Sequence, residues 1–281
     1  MTTVLLSKED VMAKLPDRKP DSHKGDYGKI LLLCGSVGYT GAAALAAMGA
    51  LRSGAGLVYL GVPERIYPIM AGKMLEPVVF PLDDQNGMLS VGAIAELSKL
   101  LPRMDAVLIG CGLGIGEGTF AVLRYVLETF QGPVVLDADG ITMVAGHKDL
   151  LRGRKGATVL TPHEGEFKRL MPIDEDRFSA AKDLAVDLGV VVVLKGHMTV
   201  ITDGIESYIN RTGNPGMAVG GSGDVLAGVI VSLIGQGLSP LDAAACGVWL
   251  HGAAGDLCAG EIGQYGMLPS DMLSALPRLM K

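Results

Sequence analysis

Short, continuously apolar, β-rich runs separated by longer stretches of helical periodicity are the feature that most restricts this sequence. "KILLLCG", "GLVYLGV", "DAVLIG", "PVVLDAD", "ATVLTP", "VVVLKG" and "TVITDG" read as strands, and their lack of polar alternation predicts burial on both faces. Helical patterns fill the intervals at residues 41–53, 90–100, 119–130, 164–170 and 177–188. Such β-α alternation builds a mostly parallel central sheet with helices on both faces, a three-layer α/β/α fold. From Ser222 onward the pattern turns to helix after helix, at 225–234, 241–259 and 271–279, so the last strand is expected to feed a helical C-terminal tail. "SKEDVMAKL" near the start predicts one more helix, with Ser7 and Asp10 at capping-box spacing.

Nothing in the chain resembles a linker, a repeat or a low-complexity tract, and 281 residues at 49% hydrophobic content bury a large core; a single domain over residues 1–281 is expected. The net charge of −6, with basic residues scattered rather than in a stripe, argues against nucleic acid as a partner. Mean hydropathy is +0.38, yet the longest apolar runs fall short of the roughly 20 residues that a membrane span needs. Charges in "MTTVLLSKEDVMAKL" occupy the place of a signal peptide's apolar region, which points to the cytoplasm. Cys34, Cys111, Cys246 and Cys258 form neither a C-x-x-C pair nor a zinc-like spacing and read as reduced, buried thiols.

Ligands of an open parallel sheet sit beyond the carboxyl ends of its strands. Five polar or glycine-rich segments come after strands here, "CGSVGYTGAA", "GCGLGIGEG", "LDADG", "TPHEGE" and "LKGHMT", and should gather along one edge. Residues 213–224 should join them from the turn before the helical tail. Well-known nucleotide-binding and zinc-binding motifs are missing. There is no G-x-x-x-x-G-K-S/T, the first glycine turn (Gly35, Gly38, Gly41) is not G-x-G-x-x-G, and "HEGEF" lacks a second histidine.

"NPGMAVGGSGDVLAGVIVSLIGQG" carries the sharpest chemical signal. Bare amides at a helix start attract anions, yet Asp224 comes directly after them. The plain alternative is a tight turn with Asp224 as a helix-starting acid, worth about 0.5–1 kcal/mol. The chemical reading makes the amides of Gly221, Ser222 and Gly223 an anion hole for a phosphoryl group in transfer, with Asp224 taking the proton of the attacking hydroxyl.

"GGSGDVLAGVI" resembles the G-x-G-D signature of the ribokinase-like superfamily, whose aspartate is the base for phosphoryl transfer. "HKGDYGKILLLCGS", "YTGAAALAAMGALRSGAGLV", "LDADGI", "LTPHEGEF", "LKGHMTVITDG" and "NPGMAVGGSGDVLAG" resemble one branch of it, the ADP- or ATP-dependent NAD(P)H-hydrate dehydratases, from about His23 to Gly260. That resemblance implies cofactor repair: the hydroxyl of the S epimer of NADHX or NADPHX is phosphorylated, phosphate leaves, and NADH or NADPH is restored. It implies ADP or ATP as donor with Mg2+. Ala42, Ala43, Gly112, Gly114 and His163 are then expected against the hydrate together with Asp224, and Glu166 in a metal-water network. Lys195, Gly196, His197, Met198 and Thr199 are expected at the nucleotide, as are Asn214, Gly221, Ser222 and Gly223. Asp137 is expected as a polar wall and Asp139 as a cap of the next helix.

Only the residues before His23 precede the match, where many relatives carry an epimerase domain, so a separate epimerase is expected to act alongside. The resemblance and the apolar helices also imply a homo-oligomer, a tetramer. The alternative within the same superfamily is a kinase of a vitamin precursor such as a hydroxyethylthiazole or hydroxymethylpyrimidine, which would share Asp224 but release a stable phosphate ester. His163 in place of the asparagine of T-P-N-x-x-E separates the two.

Overall fold

A computed structural model describes residues 3–173 and 176–280. Its strands are β1 (Thr3–Leu5), β2 (Lys29–Leu33), β3 (Leu57–Pro63), β4 (Val78–Leu82), β5 (Asp84–Gln85), β6 (Met88–Leu89), β7 (Ala106–Ile109), β8 (Val134–Leu136), β9 (Thr158–Leu160), β10 (Val191–Leu194), β11 (Thr199–Thr202) and β12 (Ser207–Asn210). Apart from the small β5–β6 hairpin they form one sheet in the order β1-β12-β11-β10-β9-β8-β7-β2-β3-β4. Within it β11 alone runs antiparallel to its neighbours.

Alternate residues of each central strand feed two separate cores. Ile30, Leu32, Ala106, Leu108 and Val135 face the helices Thr40–Arg52, Ser222–Gly235, Pro240–Ile262 and Pro269–Leu279. Leu31, Leu33, Val107, Ile109, Val134 and Leu136 face Ile94–Leu100, Glu117–Thr129, Glu164–Leu170 and Arg177–Leu188. This is the expected α/β/α sandwich, and the strands are continuously apolar because both of their faces are covered.

All seven expected strands are present, as are the helices. Ser7 and Asp10 close the capping box, the Ser7 hydroxyl accepting from the Asp10 amide and the Asp10 carboxylate from the Ser7 amide. The structure adds β1, β4, the hairpin and β12, together with the helices Tyr67–Lys73, Asp139–Val144 and Asp149–Arg152. The tail is therefore entered from β12, not from "TVITDG".

Helix Ser222–Gly235 lies tightly on Thr40–Arg52. A Cβ at Gly228 would fall 2.1 Å from the Ala46 carbonyl oxygen, and one at Gly49 would fall 2.6 Å from that of Val225. Only glycine permits this approach.

β2, β7, β8, β9 and β10 are adjacent and mutually parallel. The segments after them therefore stand side by side on one edge. Two antiparallel steps return β12 to the direction of β10, which delivers residues 211–221 to that same edge. Among the described residues no helix is long and apolar enough to cross a membrane.

Candidate active site

The centre of this edge is an ion pair. Asp137, at the end of β8, is 2% exposed; its Oδ1 accepts from Lys195 Nζ at 2.8 Å and from the Thr161 hydroxyl at 2.7 Å. Burial pushes the Asp137 carboxyl up, but the Lys195 charge and the bonds from Lys195, Thr161 and Cys111 outweigh it and hold the group below its ordinary value. Lys195 is pushed down by burial and up by Asp137 and Glu166, with a net rise. Both partners stay charged at neutral pH. Glu166 Oε2 lies 3.9 Å from the same ammonium.

Asp224 is the third residue of helix Ser222–Gly235. Gly221 caps that helix in the left-handed region (φ 102°), without a side-chain bond. Burial, then the nearby charge of Asp137, pushes the Asp224 carboxyl up to about 6, with Asp139 adding to this and Cys111 and Lys195 opposing it. A helix-starting acid that merely neutralised the helix terminus would be held down instead. The Cys111 thiol and one oxygen each of Asp137 and Asp224 lie within 4.8 Å of one another. The amides of Gly223 and Asp224, in the first turn, have no intrahelical partner. Ser222 differs from the expected hole: its amide donates to the Val219 carbonyl at 3.3 Å and its hydroxyl to the Met217 carbonyl at 2.8 Å.

The hairpin turn Lys195–Met198 is stitched by Arg177, whose guanidinium donates to the carbonyls of Leu194, Lys195 and His197. Met198 lies at φ 58°, and Thr199 closes the turn on the Gly196 carbonyl at 2.9 Å. His197 and Gly196 are exposed. Asn214 donates to Asp256 at 3.0 Å, and the Gly213 amide donates to the same carboxylate at 2.8 Å, so Asp256 holds this loop on the long helix Pro240–Ile262. His251 on that helix is buried and is pushed down to about 4 by burial, so it is neutral.

On the other side of Asp224 the floor is made of small residues. A Cβ on Gly112 would touch Ala42 and Tyr39 at 2.8 Å. Ala43 is fully buried against Gly35, so its side chain belongs to the core. Gly114 donates its amide to Asp139 Oδ2 at 2.8 Å. This corrects the expectation for Asp139, which begins helix Asp139–Val144 without capping it and ties the Gly114 loop instead. Between the two aspartates Ala138 sits at φ 47°, ψ −115°, a strained conformation of the kind that concentrates at functional sites.

His163 caps helix Glu164–Leu170. Its Nδ1 accepts from the Glu166 amide at 3.2 Å, and Glu166 Oε2 accepts from the His163 amide at 2.9 Å. The ring is more than half exposed, whereas the Glu166 side chain is only 8% exposed. The histidine thus caps with Nδ1, keeps Nε2 at 3.4 Å from Glu166 Oε1 and leaves its outer ring edge to solvent. Cys111 and His251 were not legible as site residues, since an isolated cysteine or histidine in an apolar stretch carries no spacing signal.

Residues 30–278 match the family model described as NAD(P)H-hydrate dehydratase. The chain is 44% identical over 285 residues to the bifunctional NAD(P)H-hydrate repair enzyme Nnr of Moorella thermoacetica, covering 99% of this chain and 54% of that protein. It thus spans about half the length of that relative. It is 36% identical to the ADP-dependent (S)-NAD(P)H-hydrate dehydratase of Cenarchaeum symbiosum, covering 100% of this chain and 98% of that one. Among solved structures, the ADP/ATP-dependent NAD(P)H-hydrate dehydratase of Bacillus subtilis, co-crystallised with ATP/Mg2+, superposes with a TM-score of 0.83 at 34% identity, covering 99% of this chain and 98% of that one. A hydroxyethylthiazole kinase from Pyrococcus horikoshii, at 17% identity and a TM-score of 0.65 over 96% of this chain and 92% of that one, shares the fold. A match over nearly the whole length, on a sheet edge that assembles Asp137, Lys195 and Asp224, places this chain in the NAD(P)H-hydrate dehydratase family.

Proposed function

We propose that the chain restores NADH and NADPH from their S hydrates, using ADP or ATP to phosphorylate the added hydroxyl. Asp224 carries this reading: a half-buried carboxyl at a helix start, held up to about 6, is a base poised near neutral pH. The hydroxyl oxygen attacks the terminal phosphorus, its proton passes to Asp224, and the bond to the departing nucleotide breaks. The carbon–oxygen bond then breaks as the ring nitrogen's electron pair pushes phosphate out, and the adjacent ring carbon gives up a proton to restore the double bond. The amides of Gly221, Gly223 and Asp224 face the transferred phosphoryl group, while the turn Lys195–Met198, Thr199, Ser222 and Asn214 frame the nucleotide. Ala42, Gly112, Gly114 and the exposed ring edge of His163 receive the hydrate.

The residues fit a magnesium ion that arrives on the phosphates rather than one held in a protein cage. Mg2+ demands oxygen ligands. The Cys111 sulfur is a poor one, and Asp137 is already taken by Lys195. Glu166 would contact the ion's water shell, and the ion would supply charge neutralisation across the phosphates when bound. In this reading an epimerase supplies the S form. The protein assembles as a homotetramer, in keeping with the exposed Ile262, Tyr265 and Leu268 near the C-terminus; light scattering that finds a monomer at micromolar concentration removes that assignment.

The test is incubation with (S)-NADHX, Mg2+ and ADP or ATP, tracking the near-ultraviolet absorbance of NADH. Recovery of NADH dependent on nucleotide supports the reading. No recovery, together with formation of a stable ester from a hydroxyethylthiazole, overturns it.

A further inference from the structure

We propose that Asp256 is a positioning residue for nucleotide binding: its carboxylate clasps Gly213 and Asn214 and so fixes how the loop 213–221 enters the first turn of helix Ser222–Gly235. This rests on the reading of that loop as the one that faces the nucleotide.

The run "WLHGAAGD", residues 249–256, lays one stripe of helix Pro240–Ile262 along this loop, since positions three and four apart share a helix face. The Thr212 hydroxyl donates to the Trp249 carbonyl at 3.0 Å. A Cβ on Gly252 would fall 2.2 Å from the Thr212 hydroxyl oxygen, and one on Gly255 would fall 2.3 Å from the Met217 sulfur. Glycine at both places lets the loop lie directly on the helix. At the end of the stripe Asp256 takes two donors at once, the Gly213 amide at 2.8 Å on Oδ2 and the Asn214 side-chain amide at 3.0 Å on Oδ1. From Asn214 the bonds run on: its Oδ1 accepts from the Gly216 amide at 3.0 Å, its carbonyl from the Met217 amide at 3.1 Å, and the Met217 carbonyl from the Ser222 hydroxyl at 2.8 Å. A chain of hydrogen bonds therefore links Asp256 to the helix that carries Asp224.

The donor pattern accounts for an acid at this place. Gly213 and Asn214 both present N–H groups, so residue 256 has to accept twice. A carboxylate does this with its two oxygens, whereas a carboxamide accepts with one. A negative charge beside a phosphate-binding loop works against the ligand, and the clasp is what offsets that cost. Asn214 in turn spends its oxygen on Gly216 and an N–H on Asp256, so it serves the nucleotide by holding the loop. Asp256 is exposed; water competes for its oxygens, and the clasp is worth less than a buried one.

The test compares the full chain as wild type, as Asp256→Asn, and as the double variant Asn214→Asp with Asp256→Asn, in which carboxylate and carboxamide trade places. In the double variant the carboxamide oxygen takes the Gly213 amide and its N–H donates to the carboxylate, which still accepts from Gly216, so donors and acceptors match again. Affinity for ADP or ATP with Mg2+ is measured by calorimetry, amide hydrogen exchange over residues 213–217 by mass spectrometry, and KM for nucleotide and for (S)-NADHX by NADH recovery. Asp256→Asn is expected to weaken nucleotide binding by about 3–10-fold, to raise the nucleotide KM alike and to speed amide exchange over 213–217, with the hydrate KM and the urea midpoint unmoved. The double variant is expected to regain the protection and most of the affinity. Equal rises in both KM values, or a loss of affinity with a matching fall in the urea midpoint, overturn the assignment, because they report a general defect. Protection regained without affinity overturns it too, since the Asn214 side chain would then touch the nucleotide itself. A wild type that binds neither nucleotide overturns it outright. One that binds them yet restores no NADH, while the affinities move as stated, sinks the dehydratase reading and leaves the clasp standing.

Discussion

Lys195 and Asp137 meet at 2.8 Å beneath the first turn of helix Ser222–Gly235, with the carboxylate side chain only 3% exposed and the lysine side chain 19%. Breaking such a pair from one side leaves a buried charge. Lys195→Met is therefore expected to cost about 3 kcal/mol in urea unfolding, at the low end for a buried pair because the lysine retains some exposure. Adding Asp137→Asn should recover a good part of that loss, and a double-mutant cycle showing no coupling would contradict the assignment.

Replacing Asp224 by Asn preserves size but removes the proton acceptor. Turnover is expected to fall by about 10²–10⁴ with little change in nucleotide binding. A folded Asp224→Asn protein that binds nucleotide and keeps more than about a tenth of wild-type turnover would exclude the base assignment.

The same substitution has an opposite effect on stability. The Asp224 carboxyl binds its proton more tightly when folded, near 6, than at its ordinary 3.8. Its contribution is thus favourable below the unfolded value and is lost as pH rises through the folded one. Asp224→Asn, which does not titrate, is expected to be more stable than wild type at about pH 8, by up to about 3 kcal/mol, with the gap closing by about pH 4. Thermal melts of the nucleotide-free proteins across that window decide this; a gap that widens toward acid reverses the sign.

His163 both caps a helix and presents its ring to solvent. His163→Ala should lose about 1 kcal/mol of stability from the cap and raise KM for the hydrate much more than for the nucleotide. Equal rises in both would place the ring elsewhere than at the hydrate.

The sheet was legible wherever a strand is covered on both faces, as in "KILLLCG" and "DAVLIG", because burial leaves no polar residue to blur the run. β4 escaped because it lies at the sheet edge, half exposed and carrying Pro81, which a central strand would not tolerate. Helix Asp139–Val144 is six residues long, too short to show a period. Asp224 was legible because its chemistry lies in one local pattern. Cys111 was not, since the register of β7 on β8, rather than any spacing along the chain, carries it to Asp137. Asp139 misled for a related reason: a strand-end aspartate normally caps the helix it leads into, but here the nearby Gly114 amide offers a better partner.

The close contact at Gly49 and Gly228 joins the two helices whose first turns carry the two halves of the proposed cleft, Ala42 on its proposed hydrate side and Asp224 on its proposed phosphate side. Neither glycine is among the proposed site residues, yet together they act as a gauge block that sets the spacing of those two turns. A methyl group at either position would wedge the helices apart and lengthen that gap while leaving every ligand-facing side chain chemically intact. The width of the proposed cleft is therefore fixed by two residues that lie outside it.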